Sequence, residues 1–233
     1  MIQISALYKE EKSSWKALQE LSMVCPEGWV LVGGFSIKAL AYKYGVDFQR
    51  STDDGDIVLN LRAFPETIAK LESSLREAGM RPLFNPAGYD HRWVREDGAT
   101  IDILIPTGMG DRWVNKKFPG FGYLVETHGA QFIIDHSEYE TIQVDDEKFH
   151  VRIPTLVGAL YGKCSAFMNS DRNTERHAED VELLCSAMGI DELSELKTLR
   201  SNEIDRIKNG LRKTVEMHPF SENASRVLNF LAT

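Results

Sequence analysis

Two aspartates, Asp54 and Asp56, stand two residues apart and lead directly into the apolar residues 57–59. Because side chains alternate between the two faces of a β-strand, both carboxylates are expected to point to the same side. Two like charges held together on one face destabilise the fold unless a cation joins them. Mg²⁺ and Mn²⁺ prefer oxygen ligands of this kind. The spacing therefore predicts a divalent-metal site at the start of a strand.

A pair of glycines precedes this strand, at the end of another apolar run. Residues 29–32 are typical of a short buried strand, Gly33 and Gly34 follow at once, and a helical pattern covers residues 36–44. Glycines at a strand-to-helix turn let the backbone approach a phosphate, and the start of the helix offers free N–H groups. Gly33, Gly34 and the Ser36 hydroxyl are therefore predicted to bind phosphate, although a plain turn is the simpler alternative.

A third carboxylate lies within the apolar segment 100–105. Asp102 occupies one face of this predicted strand, and isoleucines occupy the other. A carboxylate in such a strand needs an ionic partner or a cation, because its charge is expensive to bury. We predict Asp102 as a third metal ligand, and a salt bridge within the core is the alternative.

The pattern along the chain changes at Pro154, which predicts an α+β part over residues 1–153 and a helical part, packed on it, over residues 154–233. The α+β part is expected to be a mixed sheet flanked by helices. The predicted strands cover residues 29–32, 54–60, 81–84, 91–95, 100–105, 132–135, 140–144 and 149–151. The predicted helices cover residues 11–24, 36–44, a segment from Pro65 to Gly79, and then 155–168, 178–188, 191–200, 203–215 and 224–231.

Overall composition narrows the class of protein. The net charge of −8 does not favour nucleic-acid binding by the surface as a whole, although a local basic patch is still possible. Three widely spaced cysteines favour a reducing compartment, so the cytoplasm is the expected location. No apolar run approaches the length of a membrane span, and the N-terminal residues show no signal-peptide pattern.

The order of strand, glycine pair, helix, paired aspartates and third aspartate resembles the nucleotidyltransferase superfamily, which shares the polymerase-β-type core. That resemblance implies transfer of an NMP from an NTP to an acceptor, with release of pyrophosphate. It further implies that Asp54, Asp56 and Asp102 hold two Mg²⁺ ions, and that Gly33, Gly34 and Ser36 bind the nucleotide.

Within that superfamily, Arg50-x-Thr52-x-Asp54-x-Asp56 resembles the AbiEii-type branch of toxin–antitoxin nucleotidyltransferases. Two further motifs extend the resemblance over about residues 29–184. The segments are Lys163-Cys164-Ser165-Ala166 with Arg172 downstream, and Arg176-His177-Ala178-Glu179-Asp180-Val181, in which His177 replaces the usual aspartate. The resemblance implies a tRNA or protein acceptor and a cognate antitoxin.

Lys163 shares a predicted helical face with apolar residues, so an anion is expected to meet it. The resemblance suggests that this anion is the nucleotide triphosphate. Asp180 lies at the edge of an apolar stripe, where it could orient Lys163 or deprotonate the acceptor. Arg50 and Thr52 are predicted to brace the metal strand.

Two other functions stay open at this point. One is a nucleotide-binding protein that keeps the fold without catalysis. The other is an enzyme of the aminoglycoside-modifying kind, because the acidic balance suits a small cationic acceptor. Gly55, between the two aspartates, suggests either a β-bulge or a close approach of a ligand to the backbone.

Overall fold

The computed structural model describes residues 1–169 and 174–232, and these ranges contain nine strands and ten helices in a mixed α+β arrangement. The strands are β1 (Ile2–Ile4), β2 (Trp29–Val32), β3 (Asp54–Leu59), β4 (Arg81–Pro82), β5 (Arg92–Val94), β6 (Thr100–Pro106), β7 (Val125–Thr127), β8 (Ser137–Val144) and β9 (Glu147–Pro154). The helices are α1 (Lys9–Val24), α2 (Gly33–Tyr44), α3 (Thr67–Glu77), α4 (Asp111–Val114), α5 (Ala130–Asp135), α6 (Leu156–Asn169), α7 (Thr174–Ala187), α8 (Ile190–Thr198), α9 (Ser201–Met217) and α10 (Glu222–Ala232).

The larger sheet has the strand order β2-β3-β6-β5-β4, and β7 pairs with the far end of β6. Strands β3 and β6 run parallel at its centre, whereas β2 is antiparallel to β3 and β5 is antiparallel to β6. A smaller sheet joins β1 to the β8–β9 hairpin. The predicted mixed sheet flanked by helices is confirmed.

The pairing of the central strands brings the acidic residues together. Asp56 of β3 lies opposite Asp102 of β6, and Asp54 lies opposite Thr100. On the other side of β6, Arg92 of β5 is also in register with Asp102. Because residues two apart on a strand share a face, one side of the sheet carries all three carboxylates and this arginine.

Gly55 has a packing function on the opposite face of β3. A Cβ atom at this position would lie 2.9 Å from Cδ1 of Leu18, a buried residue of α1. The ladder between β3 and β6 continues through Gly55 to Ile101 without an extra residue. The predicted β-bulge at Gly55 is therefore wrong, and the glycine makes room for α1; the approach of a ligand to its backbone stays a prediction.

The predicted strand at residues 132–135 is also wrong, because Ala130–Asp135 forms the short helix α5. A short apolar run does not by itself distinguish a buried strand from a buried helical turn. Gly129 precedes α5 in the left-handed conformation, and Ile133 packs where Gly162 of α6 leaves space. The sequence patterns also missed β1, α4 and β7, each of four residues or fewer.

Beyond Pro154, helices α6 to α10 follow one another. Helix α6 packs against α5, α7 and α9, and α7 packs against α2, so the helices contact the sheet-containing part directly. Cys25, Cys164 and Cys185 are buried free thiols. Among the described residues, no helix combines the length and the apolar character that crossing a membrane requires.

Candidate metal and nucleotide site

Asp54, Asp56 and Asp102 each offer a carboxylate oxygen to a common space, and these oxygens lie within 4.8 Å of one another. Asp54 and Asp56 are half-buried, whereas Asp102 is only 7% exposed. Burial first, and then the charges of Asp54 and Asp102, raise the pKa of Asp56 to about 7. Three converging carboxylates with this mutual repulsion form an all-oxygen donor set, which fits a hard divalent cation such as Mg²⁺ or Mn²⁺.

Arg92 contacts this cluster directly, and the sequence patterns did not identify it. Its Nε donates to Asp102 Oδ1 over 2.8 Å, and its Nη2 donates to Asp102 Oδ2 over 2.6 Å. The same Nη2 donates to Asp54 Oδ2 over 3.1 Å. Hydrogen bonding to Asp102 is the main reason why the pKa of Arg92 is raised above its usual value. Only the pairing of β5 with β6 places this side chain here, so no local signal could have found it.

Glycine is required at positions 33 and 34 because the start of α2 lies very close to β3 and to the loop before it. Gly33 has a φ of +65°, and a Cβ atom there would lie 1.8 Å from Oδ2 of Asp56. At Gly34, a Cβ atom would lie 2.1 Å from Oγ1 of Thr52. Glycine therefore lets the start of α2 lie directly against the side chains of Asp56 and Thr52.

Replacing Gly33 by alanine is expected to displace the Asp56 carboxylate and to lower metal affinity by at least tenfold, an equivalent of about 1.4 kcal/mol. Gly45 offers a matched control, because its φ is +68° and a Cβ atom there would meet nothing within 4 Å. G45A has the same backbone strain without the clash. Calorimetric titration with Mn²⁺ should therefore separate the two variants, and equal affinities would contradict the contact with Asp56.

A cavity of about 200 Å³ opens beside the carboxylates, and its lining includes Gly33, Ser36, Asp56 and Lys163. The structure thus brings together residues that are more than 100 positions apart in the sequence. The Ser36 hydroxyl donates to the Gly33 carbonyl over 3.0 Å, so it is engaged within its own helix. Gly34 does not line this cavity and instead packs against Thr52.

Lys163 belongs to a buried ion-pair network that joins α6 and α7 to the loop before β3. Its Nζ lies 2.6 Å from Oδ2 of Asp180, whose side chain is 2% exposed. Arg50 donates to the same carboxylate from Nε and from Nη2, each over 3.0 Å. Burial alone would raise the pKa of Asp180, but Lys163 and Arg50 outweigh it and hold that pKa below its usual value. Asp180 therefore stays ionised and orients the two cations.

His177 also lines the cavity, next to Lys163. Its Nδ1 atom is buried and has no hydrogen-bond partner among the described residues. Burial, followed by the charge of Lys163, lowers the pKa of His177 to about 4, so its imidazole is neutral near pH 7. Arg172, which the motif resemblance includes, lies outside the described residues.

A second cavity, of about 590 Å³, is lined in part by Asp54. Its lining includes Asp54 and Arg92, so it reaches the carboxylate cluster at Asp54, whereas the first cavity reaches it at Asp56. Its lining also includes charged residues of α7 and residues of the loop before β3. The cluster therefore borders two cavities, and each of them is lined by one of the paired aspartates.

No family model and no curated protein matches the sequence. A comparison with solved structures finds three that are similar to this chain. The lincosamide antibiotic adenylyltransferase LnuA, bound to lincomycin, matches with a TM-score of 0.42 and 19% identity over 76% of this chain and 98% of its own. ANT(2")-Ia, in complex with adenylyl-2"-tobramycin, matches with a TM-score of 0.46 and 14% identity over 82% of this chain and 95% of its own. An antigenic nucleotidyltransferase-like protein from Paracoccidioides brasiliensis matches with a TM-score of 0.55 and 16% identity over 94% of this chain and 91% of its own. The chain therefore has the mixed α+β fold of a nucleotidyltransferase-like protein.

Proposed function

We propose that this protein is a metal-dependent nucleotidyltransferase, which transfers an NMP from an NTP to an acceptor and releases pyrophosphate. The observation that carries the proposal is the position of the three carboxylates. Asp54, Asp56 and Asp102 converge within 4.8 Å at the edge of a cavity that Gly33 and Lys163 also line. The proposed cation site is therefore adjacent to the proposed phosphate site.

Each group has a chemical task in this proposal. A divalent cation bound by the three aspartates would neutralise phosphate charge and favour attack by the acceptor oxygen. Lys163, held by Asp180, offers its charge to the triphosphate. Because Gly33 has no side chain, the start of α2 lies directly beside Asp56, where the phosphates would bind. The acceptor oxygen bonds to the α-phosphorus, and its proton passes to the carboxylate cluster. The bond from that phosphorus to the bridging oxygen breaks, and pyrophosphate leaves. Positioning and charge neutralisation supply most of the catalysis.

We assign the cavity that contains Lys163 to the nucleotide, and the larger cavity that contains Arg92 to the acceptor. The carboxylate cluster borders both cavities, so a metal held there would be within reach of both substrates. His177 stands neutral beside Lys163, where its unpartnered Nδ1 is available for a hydrogen bond to the nucleotide. In this assignment the helices that follow Pro154 close the nucleotide cavity over the sheet.

The acceptor is a finer question. The motif resemblance to AbiEii-type toxins suggests tRNA or a protein side chain, together with an antitoxin that controls the enzyme in the cytoplasm. A small cationic acceptor is the second candidate, and two observations favour it. The larger cavity is lined by four acidic side chains and three basic ones, so its lining has a formal excess of one negative charge; these are Asp53, Asp54, Glu175 and Glu179, and Arg50, Arg92 and Arg176. A tRNA acceptor would need basic side chains to contact its phosphates, and α9 is rich in them. Two of these side chains already make hydrogen bonds within the chain, Lys213 to the Phe167 carbonyl and Arg212 to the Asn209 side chain.

The test is an assay of pyrophosphate release with each of the four NTPs and Mg²⁺. Total tRNA is one acceptor, and an aminoglycoside is the other. We expect release to depend on both metal and acceptor, and labelled α-phosphate should appear on the acceptor. Stimulation by tRNA alone would support the toxin-like function, whereas stimulation by the aminoglycoside alone would support a small-molecule enzyme. If calorimetry shows that NTP and Mg²⁺ bind but neither acceptor yields pyrophosphate, the non-catalytic alternative is favoured.

A further inference from the structure

We infer that Arg92 and a divalent metal compete for the same carboxylate oxygens, so that Arg92 sets the metal concentration at which the site fills. This inference rests on the proposed function, because it takes the three aspartates as the metal ligands. It assigns to Arg92 a role that the motif resemblance does not include. Arg92 is a positioning residue in this sense, since it acts on the ligands and not on the substrate.

The geometry points to competition. Arg92 donates to both oxygens of Asp102 and to Oδ2 of Asp54, over distances between 2.6 and 3.1 Å. A bidentate contact of guanidinium with carboxylate is among the stronger hydrogen-bonded pairs in proteins. These are two of the three carboxylates that converge on the candidate metal position. A metal ion that takes an oxygen from each must weaken at least one of the arginine's bonds.

Charge acts in the same direction. Arg92 carries a permanent positive charge, and a divalent cation between Asp54 and Asp102 would lie close to it. Like charges at such short range raise the free energy of the metal-bound state. The Arg92 side chain is 41% exposed, so its guanidinium can move towards the larger cavity when metal arrives. Arg92 thereby neutralises the carboxylates before metal binds and gives way afterwards.

The experiment measures Mn²⁺ binding alone, without nucleotide, by calorimetry on the full chain. Arg92→Gln removes the charge and keeps a polar, though shorter, side chain. We expect it to bind Mn²⁺ at least about tenfold more tightly than the wild type, which corresponds to about 1.4 kcal/mol. Without metal the same variant should have a lower Tm, because the carboxylates lose their counter-charge. Saturating Mn²⁺ should raise its Tm by more than it raises that of the wild type.

Two further variants separate competition from a general structural effect. Arg92→Lys keeps the positive charge, so its Mn²⁺ affinity should stay closer to the wild type than to R92Q. Arg95 follows the same strand and pairs with Glu20 over 2.6 Å and Asp97 over 2.9 Å, away from the cluster. Arg95→Gln should therefore lower the Tm and leave Mn²⁺ affinity unchanged.

The outcomes are distinguishable. If the wild type binds Mn²⁺ and R92Q binds it equally or more weakly, the competition is refuted while the proposed metal site survives. If neither protein binds Mn²⁺, the metal site of the proposed function is refuted, and the inference about Arg92 fails with it. Tighter binding by R92Q and R95Q alike would also refute it, because the effect would then not be specific to the cluster.

Discussion

Replacing Asp56 by asparagine is expected to reduce NMP transfer at least about a thousandfold and to make the metal-free protein more stable. The loss of transfer follows from removing the central ligand of the cluster, because a catalytic metal contributes several kcal/mol to transition-state stabilisation and each factor of ten in rate is about 1.4 kcal/mol. The gain in stability has a separate cause. Burial and the neighbouring carboxylates raise the pKa of Asp56 to about 7, so its ionised form is disfavoured in the fold.

The sign of the pH dependence follows from that raised pKa. Between the ordinary aspartate pKa of about 4 and the folded value, the folded protein binds more protons than the unfolded chain. Wild-type stability without metal is therefore expected to fall as the pH rises from about 4 to about 7. D56N lacks this titration, so its stability advantage should grow across that window and stay constant above it.

The measurement combines denaturant unfolding at several pH values with the pyrophosphate assay. Asp53 provides the matched control, because it is exposed and its carboxylate does not belong to the cluster. D53N should show no such change in stability with pH, and it controls stability alone because Asp53 lines the larger cavity. A D56N protein that transfers NMP at the wild-type rate would remove the basis for the proposed function.

Replacing Asp180 by alanine is expected to lower the free energy of unfolding by about 3–5 kcal/mol, the usual effect of removing one partner from a buried ion pair. Two cations, Arg50 and Lys163, would then be left without their shared counter-charge inside the protein. We also expect transfer to fall, because Lys163 would lose the contact that orients it towards the nucleotide cavity. The conservative variant D180N should be less destabilised than D180A, since it keeps the side-chain volume and two hydrogen-bonding atoms.

The pH dependence of this second effect has the opposite sign. The pKa of Asp180 is lowered in the fold, so its ion pairs stabilise the protein fully above the ordinary aspartate pKa. That contribution is lost as the pH falls through the lowered folded value. Denaturant unfolding should show a deficit for D180A that is largest at neutral pH and shrinks in acid. Glu179→Ala serves as the control, because Glu179 is exposed on the same helix. Equal stability of D180A and E179A would contradict the network.

The carboxylate cluster was predictable because short-range sequence patterns indicate each of its members. The spacing of Asp54 and Asp56 fixes a common face on any strand, and an acid such as Asp102 among isoleucines requires an explanation wherever it lies. The strand-to-helix turn at Gly33 and Gly34 was predictable for a similar reason. The contacts that require glycine at these positions were not. Gly33 is needed because of the Asp56 side chain, which is a contact between the start of α2 and β3 and not a property of the turn itself.

Features that depend on tertiary contacts escaped the sequence patterns. Arg92 is one of 27 basic residues, and only strand pairing distinguishes it from the others. The role of Arg50 as a brace was predicted, but its partner Asp180 lies 130 positions away. Short elements such as α5 are decided by packing, because a few apolar residues suit a strand or a helix equally well.

The late position of Lys163 and Asp180 in the chain has a consequence for the order of events during protein synthesis. A nascent chain that has emerged from the ribosome only as far as Pro154 already carries all three aspartates of the cluster. It does not yet carry Lys163 or Asp180, which α6 and α7 contribute. Under the proposed function, the metal ligands are made first and the triphosphate contact is completed last. A truncated or prematurely terminated chain would therefore be catalytically silent, and transfer could begin only after the helices had docked.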